Sequence, residues 1–191
     1  TLKIYQRVPI LENEQTSIST WGFKGILMFM MNTDSKYFKD FPDVNFLPLY
    51  EAKMIHQFNH RWATHNGNDV VELSERELDD PLFSIKTKYW VPTNEVNGRL
   101  GEWEKKWLLC FRDVTNSTNE RTVIASVLPR VGVANNAPVF IPKIQQTNLI
   151  ACLVGNLNSI AFDFIARQKV GGMHINFFIL KQLPVLPPET Y

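Results

Sequence analysis

The sequence has few cysteines and no long apolar run, and both absences restrict what the chain can be. Two cysteines occur among 191 residues, Cys110 and Cys152, far apart and inside apolar runs. This excludes a small scaffold held by disulfides and predicts two buried, reduced thiols. No apolar stretch reaches the roughly 18–20 residues of a membrane span, and no signal-like start is present. We therefore expect a cytoplasmic domain with one sizeable core and no membrane partner.

Glycine-rich loops that bind nucleotides are also missing. The sequence Gly98-Arg-Leu-Gly101 and the pair Gly171-Gly172 match neither a dinucleotide-binding loop nor a P-loop. There is no Gly-x-Ser-x-Gly turn of the kind that presents a nucleophilic serine. The chain is therefore not expected to hold a nucleotide cofactor by itself.

An excess of charge of one sign is absent as well, since the net charge is +1. The distribution is uneven, however. Residues 1–120 contain fourteen Lys and Arg against seventeen Asp and Glu, whereas residues 121–181 contain six Lys and Arg against Asp163 alone. Such asymmetry can place one basic face on a near-neutral protein. A solvated basic surface without a polyanionic partner has the same composition, so both interpretations stay open.

Short apolar, β-branched runs precede one long amphipathic segment. We predict strands at 2–8, 26–31, the start of 46–58, 89–92, 107–111, 121–130 and 138–142. We predict a short helical segment within 69–82, with a possible cap at Ser74, and one long helix at about 146–168, closed by Lys169 and Gly171-Gly172. The fold class is α+β, a mixed or antiparallel sheet with a C-terminal helix, in a single domain at 1–191 with a possible small subdomain around 65–105.

A loose nuclease-like pattern occurs in the first half. Pro42-Asp43 is followed after seven residues by Glu51-Ala-Lys53, which has the form of the PD-(D/E)xK motif. That chemistry requires two carboxylates on a divalent metal and a lysine near the attacking water. The motif is short and no upstream acidic helix clearly completes it. A metal-dependent nuclease using these three residues is retained as the alternative function.

Three histidines lie close together at positions 56, 60 and 65. Histidines four residues apart on a helix can bind zinc, but Gln57 replaces the glutamate of His-Glu-x-x-His and no carboxylate ligand follows nearby. Aromatic residues alternate with these histidines. We interpret them as hydrogen-bonded structural histidines and predict no metal site.

The run 123–128 is flanked by Arg121 and Arg130 and leads into a polar loop. Arginine pairs bidentately with guanine and asparagine with adenine, while other donors contact phosphates. Local salt bridges of Arg112 with Asp113, or Arg121 with Glu120, explain single residues equally well. The candidate DNA-contacting residues are Arg112, Arg121, Arg130, Asn135, Asn136, Lys169, His174 and Asn176.

Several stretches together resemble a known family. They are residues 47–64 (Leu-Pro-Leu-Tyr-Glu-Ala-Lys-Met-Ile-His-Gln-Phe-Asn-His-Arg-Trp-Ala-Thr), 107–115, 119–132, 166–176 and 181–188. The chain resembles the C-terminal target-recognition domain, TaqI-like, of bacterial Type II (IIG-like) restriction-modification N6-adenine DNA methyltransferases. Its final stretch is also similar to recognition domains of Type I specificity subunits.

The resemblance implies a fragment of a larger bacterial enzyme, in line with a sequence that begins at Thr1. It implies sequence-specific recognition of double-stranded DNA, with a methyltransferase domain upstream in the same parent chain that binds S-adenosylmethionine and flips an adenine. The fragment itself is then not an enzyme and has no cofactor. A module that only contacts the methyltransferase domain is a further alternative.

The resemblance also divides the candidate residues into two groups. Those in family-like strings are assigned to architecture or DNA backbone contact: Arg112, Arg121, Thr122, Lys169, His174 and Asn176. The loop at 131–137 is the expected place of base contact. The base-reading candidates are Arg130, Asn135 and Asn136.

Overall fold

The computed structural model describes residues 17–115 and 119–191, so the strand predicted at 2–8 lies outside the described residues. The described strands are β1 (Phe23–Ile26), β2 (Phe46–Tyr50), β3 (Ala63–Asn66), β4 (Asp69–Glu72), β5 (Trp90–Pro92), β6 (Trp107–Phe111), β7 (Ala125–Pro129), β8 (Gly132–Val133) and β9 (Val139–Pro142). The described α-helices are α1 (Glu75–Asp79), α2 (Thr93–Leu100), α3 (Thr147–Leu157), α4 (Ile160–Lys169) and α5 (Phe177–Leu180). The predicted α+β class is confirmed.

A four-stranded antiparallel sheet in the order β1-β9-β6-β7 forms the centre of the fold. Its strand β6 is apolar throughout and almost completely buried, as expected for a strand covered on both faces. Successive side chains of a strand point to opposite faces. Accordingly, Leu108 and Cys110 pack into one hydrophobic core, and Leu109 and Phe111 pack into a second.

The first core lies between the central sheet and a three-stranded sheet in the order β5-β2-β8. Here β2 pairs antiparallel with β5 and parallel with β8. Helix α2 contributes Val96 and Leu100 to this core, so part of the region proposed as a subdomain packs into the main body of the fold. A separate hairpin, β3–β4, projects beside it.

The second core is covered by the C-terminal helices, and here the predicted single helix is wrong. The segment 147–169 forms two helices, α3 and α4, that are bent by 56° at a break. Ser159 caps α4, since its hydroxyl oxygen accepts from the Phe162 N–H (3.1 Å). Asn158 turns its side chain onto the central sheet instead of continuing the helix. Two residues that favour caps over helix interiors therefore explain the break.

The stretch 131–137, expected to be a polar loop, is a buried connection between the sheets. Gly132 and Val133 form β8, and the Asn135 N–H donates to the Phe29 carbonyl (2.7 Å). Val133 and Ala134 are completely buried. The strand predicted at 121–130 begins at Ala125, because residues 122 and 123 bond to an α4 side chain rather than to a neighbouring strand.

The other predicted elements agree with the structure or differ from it in detail. Strands β2, β5, β6 and β9 and the Ser74 cap of α1 match the sequence-based expectation. The expected strand at 26–31 is displaced toward the N-terminus, as β1. Among the described residues no single helix is long and apolar enough to cross a membrane, although the bent pair α3–α4 reaches that length and apolar content together.

Candidate nucleic-acid interface

A cleft of about 320 Å³ lies between the β3–β4 hairpin, the loop after β2 and the residues that precede β7. We call it the cationic cleft, after the Lys53, Arg112 and Arg121 side chains that line it. Glu72 and Glu120 line it too, so its charge is mixed rather than uniformly positive. The remaining lining residues are His56, Trp62, Ala63, Val70, Asn119 and Ile124.

Arg112 follows β6 and fastens one wall of the cleft. Its Nε donates to the Ala52 carbonyl (2.8 Å), and its Nη2 donates to the Ile55 carbonyl. Burial lowers the pKa of the Arg112 guanidinium. The arginine therefore fixes the loop at 52–55, in line with an architectural role. It also lines the cleft as a cation.

His56 packs against Trp62 in the same wall, with ring centroids 4.4 Å apart and ring planes tilted by 33°. Burial lowers the pKa of His56, and the positive charge of Arg112 lowers it further. The imidazole is therefore held neutral near pH 7. The pair gives the cleft an aromatic wall next to its cations.

Arg121 reaches the opposite wall from a segment that α4 holds in place. The Asp163 carboxylate accepts the backbone N–H groups of Thr122 (2.7 Å) and Val123 (2.8 Å). Asp163 is 6% exposed and also lies 3.6 Å from the Arg167 guanidinium. Thr122 itself is buried, so its side chain lies inside the protein while Arg121 lines the cleft.

Arg130, a predicted base reader, is engaged elsewhere. Its Nη1 donates to the Trp103 carbonyl, and its Nε and Nη2 donate to the Asn97 side-chain oxygen (3.3 and 2.9 Å). It therefore joins β7 to α2 and does not line the cationic cleft. A base-reading role for Arg130 stays a prediction. It requires the guanidinium to exchange its bonds to Asn97 and Trp103 for bonds to a base.

The two predicted adenine readers use their amide oxygens on the backbone. The Asn135 Oδ1 accepts from the Met31 N–H (3.4 Å), and the Asn136 Oδ1 accepts from the Ala52 N–H (3.1 Å). Bidentate pairing with adenine requires both the oxygen and the NH₂ group of the same amide. Their reading role stays a prediction, and in this fold Asn136 instead helps Arg112 hold the loop at Ala52.

The remaining predicted contacts lie near the C-terminal helices. Lys169 Nζ lies 3.5 Å from the Gln182 Oε1, and the His174 Nδ1 lies 3.1 Å from the Asp113 carboxylate. Asn176 caps α5 by accepting the Ile179 N–H (2.9 Å). None of these three lines the cationic cleft.

The nuclease-like residues do not come together. Asp43 precedes β2 and pairs with Lys39 (2.9 Å), whereas Glu51 follows β2 and bonds His65 (2.9 Å). The intervening strand contributes roughly 13 Å at about 3.3 Å per residue. Lys53 lies 3.8 Å from Glu51. In the described part of the chain, no three His, Cys, Asp or Glu side chains are arranged to hold a metal ion.

The histidine pattern at 56–65 predicted structural histidines, but it did not predict the turn that brings this segment to the cleft. The segment is a tight turn that leads into β3, not a helix, because His56 and Asn59 bond each other through their backbones (2.7 and 3.0 Å). Trp62 and Lys53 were not singled out for the cleft. The alternation of aromatic and basic residues in this stretch was the available signal.

Comparison with known proteins adds no relative. No family model matches this sequence, and the search of curated proteins likewise gave no match.

Proposed function

We propose that this chain is the sequence-specific double-stranded DNA recognition domain of a bacterial restriction-modification enzyme. One observation carries the proposal. Two of the stretches that resemble target-recognition domains, 47–64 and 119–132, meet at the cationic cleft and supply Lys53, Trp62 and Arg121 to it. Cations next to an aromatic wall are a combination suited to DNA, which offers both phosphates and base faces.

In this proposal the cleft contacts the DNA backbone. Lys53 is exposed, and the Arg121 side chain reaches the cleft from a firmly held segment, so both can approach phosphates. Glu72 and Glu120 repel phosphates at the same site and limit non-specific affinity. Binding is therefore expected to depend on how the domain is positioned along the duplex, and not only on the attraction between cations and phosphates.

The proposal assigns catalysis to another part of the parent protein. An upstream methyltransferase domain supplies S-adenosylmethionine binding and adenine methylation, and this chain positions the target adenine. It carries no cofactor or catalytic residue of its own. The nuclease alternative has no comparable observation in its favour, since β2 separates Asp43 from Glu51.

Binding to a fluorescent duplex of about 30 base pairs tests the proposal. The affinity should fall as salt rises, with a slope of about −0.9 in log–log form for each phosphate contact. Arg121→Ala and Lys53→Ala should weaken binding and make that slope shallower by about 0.9 each. Lys106→Ala is the matched control, because Lys106 is exposed and lies outside the cleft.

The sequence preference is measured in the same format with a randomised duplex pool. Selective enrichment of one short sequence by the intact chain supports recognition. Binding that is absent at low salt, or that Arg121→Ala and Lys106→Ala weaken equally, contradicts a DNA-binding role for this cleft.

A further inference from the structure

A tight turn at residues 56–59 presents an exposed aromatic ring. The His56 N–H donates to the Asn59 carbonyl (2.7 Å) and the Asn59 N–H donates to the His56 carbonyl (3.0 Å). Phe58 lies between them and is 64% exposed. A large apolar residue is therefore mostly exposed to solvent at the tip of a closed turn.

The backbone of Phe58 lies in the left-handed region, with φ of 59°. Within the described residues it is the one non-glycine residue with positive φ. A bulky residue is unfavourable there, and glycine or asparagine fits such a turn better. Strain of this kind persists only where the surrounding structure enforces it, and it is concentrated at functional positions.

The surrounding structure holds this turn from both sides. The Phe58 N–H donates to the Ala125 carbonyl (3.2 Å), and the Gln57 amide donates to the Asn158 carbonyl (3.2 Å). The Asn59 side chain accepts the Arg61 N–H (2.8 Å). The turn is therefore rigid, and the ring is exposed because of its conformation rather than because of a loose loop.

The turn lies at the rim of the cationic cleft. His56, two residues before Phe58, lines the cleft. On the other side, Ile124 lines the cleft directly before Ala125, the residue that Phe58 contacts. The turn that carries Phe58 therefore adjoins the cleft lined by Arg121 and Lys53, the cations proposed to contact phosphates.

We propose that Phe58 is a stacking residue that inserts against a nucleobase where the DNA stack opens. The inference rests on the proposed DNA-binding function and deepens it. The strained turn aims a preorganised ring, and the neighbouring cations hold the backbone on either side of the opened step. Aromatic and apolar side chains of DNA-binding proteins act in this way at kinked or unstacked steps.

Paired duplexes test this role without knowledge of the target sequence. One is intact, and the other carries a single abasic site, where no base has to be unstacked. The intact chain should bind the abasic duplex at least about 5-fold more tightly, because the ring enters the gap without the free-energy cost of unstacking a base step. Phe58→Ala should abolish this preference, and Phe58→Trp should retain it.

Two further measurements separate stacking from a structural role. Phe58→Gly removes the ring and relieves the positive φ, so its melting temperature should equal or exceed that of the intact chain while the abasic preference is lost. The salt slope should be unchanged in Phe58→Ala, because the ring carries no charge, whereas Arg121→Ala makes it shallower.

The outcomes distinguish the two proposals. If the chain binds intact duplex with the expected salt slope but has no abasic preference, or keeps that preference in Phe58→Ala, stacking by Phe58 is wrong and the DNA-binding proposal stands. If neither duplex is bound, both proposals are wrong. Loss of the preference in both Phe58→Ala and Phe58→Gly, with the fold intact, supports the stacking role.

Discussion

Gly132 lies in β8 where the Val91 side chain of β5 leaves no room for a Cβ atom. A Cβ atom at this position would lie 2.3 Å from a methyl carbon of Val91, which is completely buried in the first core. Gly132→Ala should therefore lower the free energy of unfolding by about 1–3 kcal/mol, the usual cost of overpacking. Urea unfolding followed by circular dichroism measures the change.

Gly98→Ala is the matched control for this prediction. Gly98 lies within α2, and a Cβ atom there meets no other atom within 4 Å. The same substitution should stabilise the chain by roughly 0.5–1 kcal/mol, because alanine favours the helix. A Gly132→Ala variant as stable as the intact chain would contradict the close packing of the Val91 side chain against Gly132.

His60 is expected to make stability depend on pH. Burial lowers the pKa of His60 from 6.5, and the positive charge of Arg61 lowers it further. As the pH falls, the unfolded chain therefore binds the proton before the folded chain does. The free energy of unfolding keeps its full value above pH 6.5 and decreases below it. His60→Gln should reduce that decrease, as measured by urea unfolding at pH 7.5 and at about pH 5.5.

Asn68→Gln serves as the control, since Asn68 is exposed and has no titratable group. It should follow the pH dependence of the intact chain. The pKa of His56 is shifted in the same direction. The stability of the double variant His56→Gln, His60→Gln should therefore depend on pH even less than that of His60→Gln. An unchanged decrease in both His60 variants would show that other groups determine the acid sensitivity.

The junction between α3 and α4 is held by the side chain of Asn158. Its Oδ1 accepts the Ala125 N–H (3.0 Å) and its Nδ2 donates to the Ala125 carbonyl (2.9 Å), so it acts as a strand neighbour for β7. Asn158→Ala should leave the buried Ala125 N–H without a partner. The expected loss is about 1–3 kcal/mol in the free energy of unfolding, measured by urea titration.

Asn148→Ala is the control at the element scale. Asn148 lies in the first turn of α3 and is exposed, so its replacement should change stability by no more than about 0.5 kcal/mol. Equal effects of the two substitutions would contradict the proposed junction.

The same junction explains which elements sequence patterns could predict. Apolar runs such as β6 and β9 are decided by local composition and were predicted correctly. The break at Asn158 is decided by a bond to Ala125, 33 residues away, which no local pattern reveals. Residues 131–137 were taken for a loop, because their small and polar composition conceals a parallel pairing with β2.

Long-range bonds also explain which site residues the sequence could indicate. Arg112 and Arg121 were predicted as candidate DNA-contacting residues that lie in family-like strings, and both line the cleft. Arg130, Asn135 and Asn136 have the right chemistry for bases. Their partners, among them Asn97 and Ala52, become visible only in three dimensions.

At the scale of the whole molecule, β6 joins the two cores, because Leu108 packs into the first and Leu109 into the second. Each side chain is completely buried. Leu108→Ala and Leu109→Ala should each lower the free energy of unfolding by about 2–5 kcal/mol. Since the same strand belongs to both cores, each variant should still unfold in one cooperative transition.

Urea unfolding tests this with two probes, since Trp103 lies in the first core and Trp21 in the second. Variants that keep only one of these two tryptophans, with the other and Trp62, Trp90 and Trp107 changed to phenylalanine, report on each core by fluorescence. Val44→Ala is the control, because Val44 is 95% exposed and should change neither midpoint. Separate midpoints for the two probes in Leu109→Ala would mean that the cores unfold independently. In that case the first core, together with the region around 65–105 that packs into it, is better described as a separate unfolding unit.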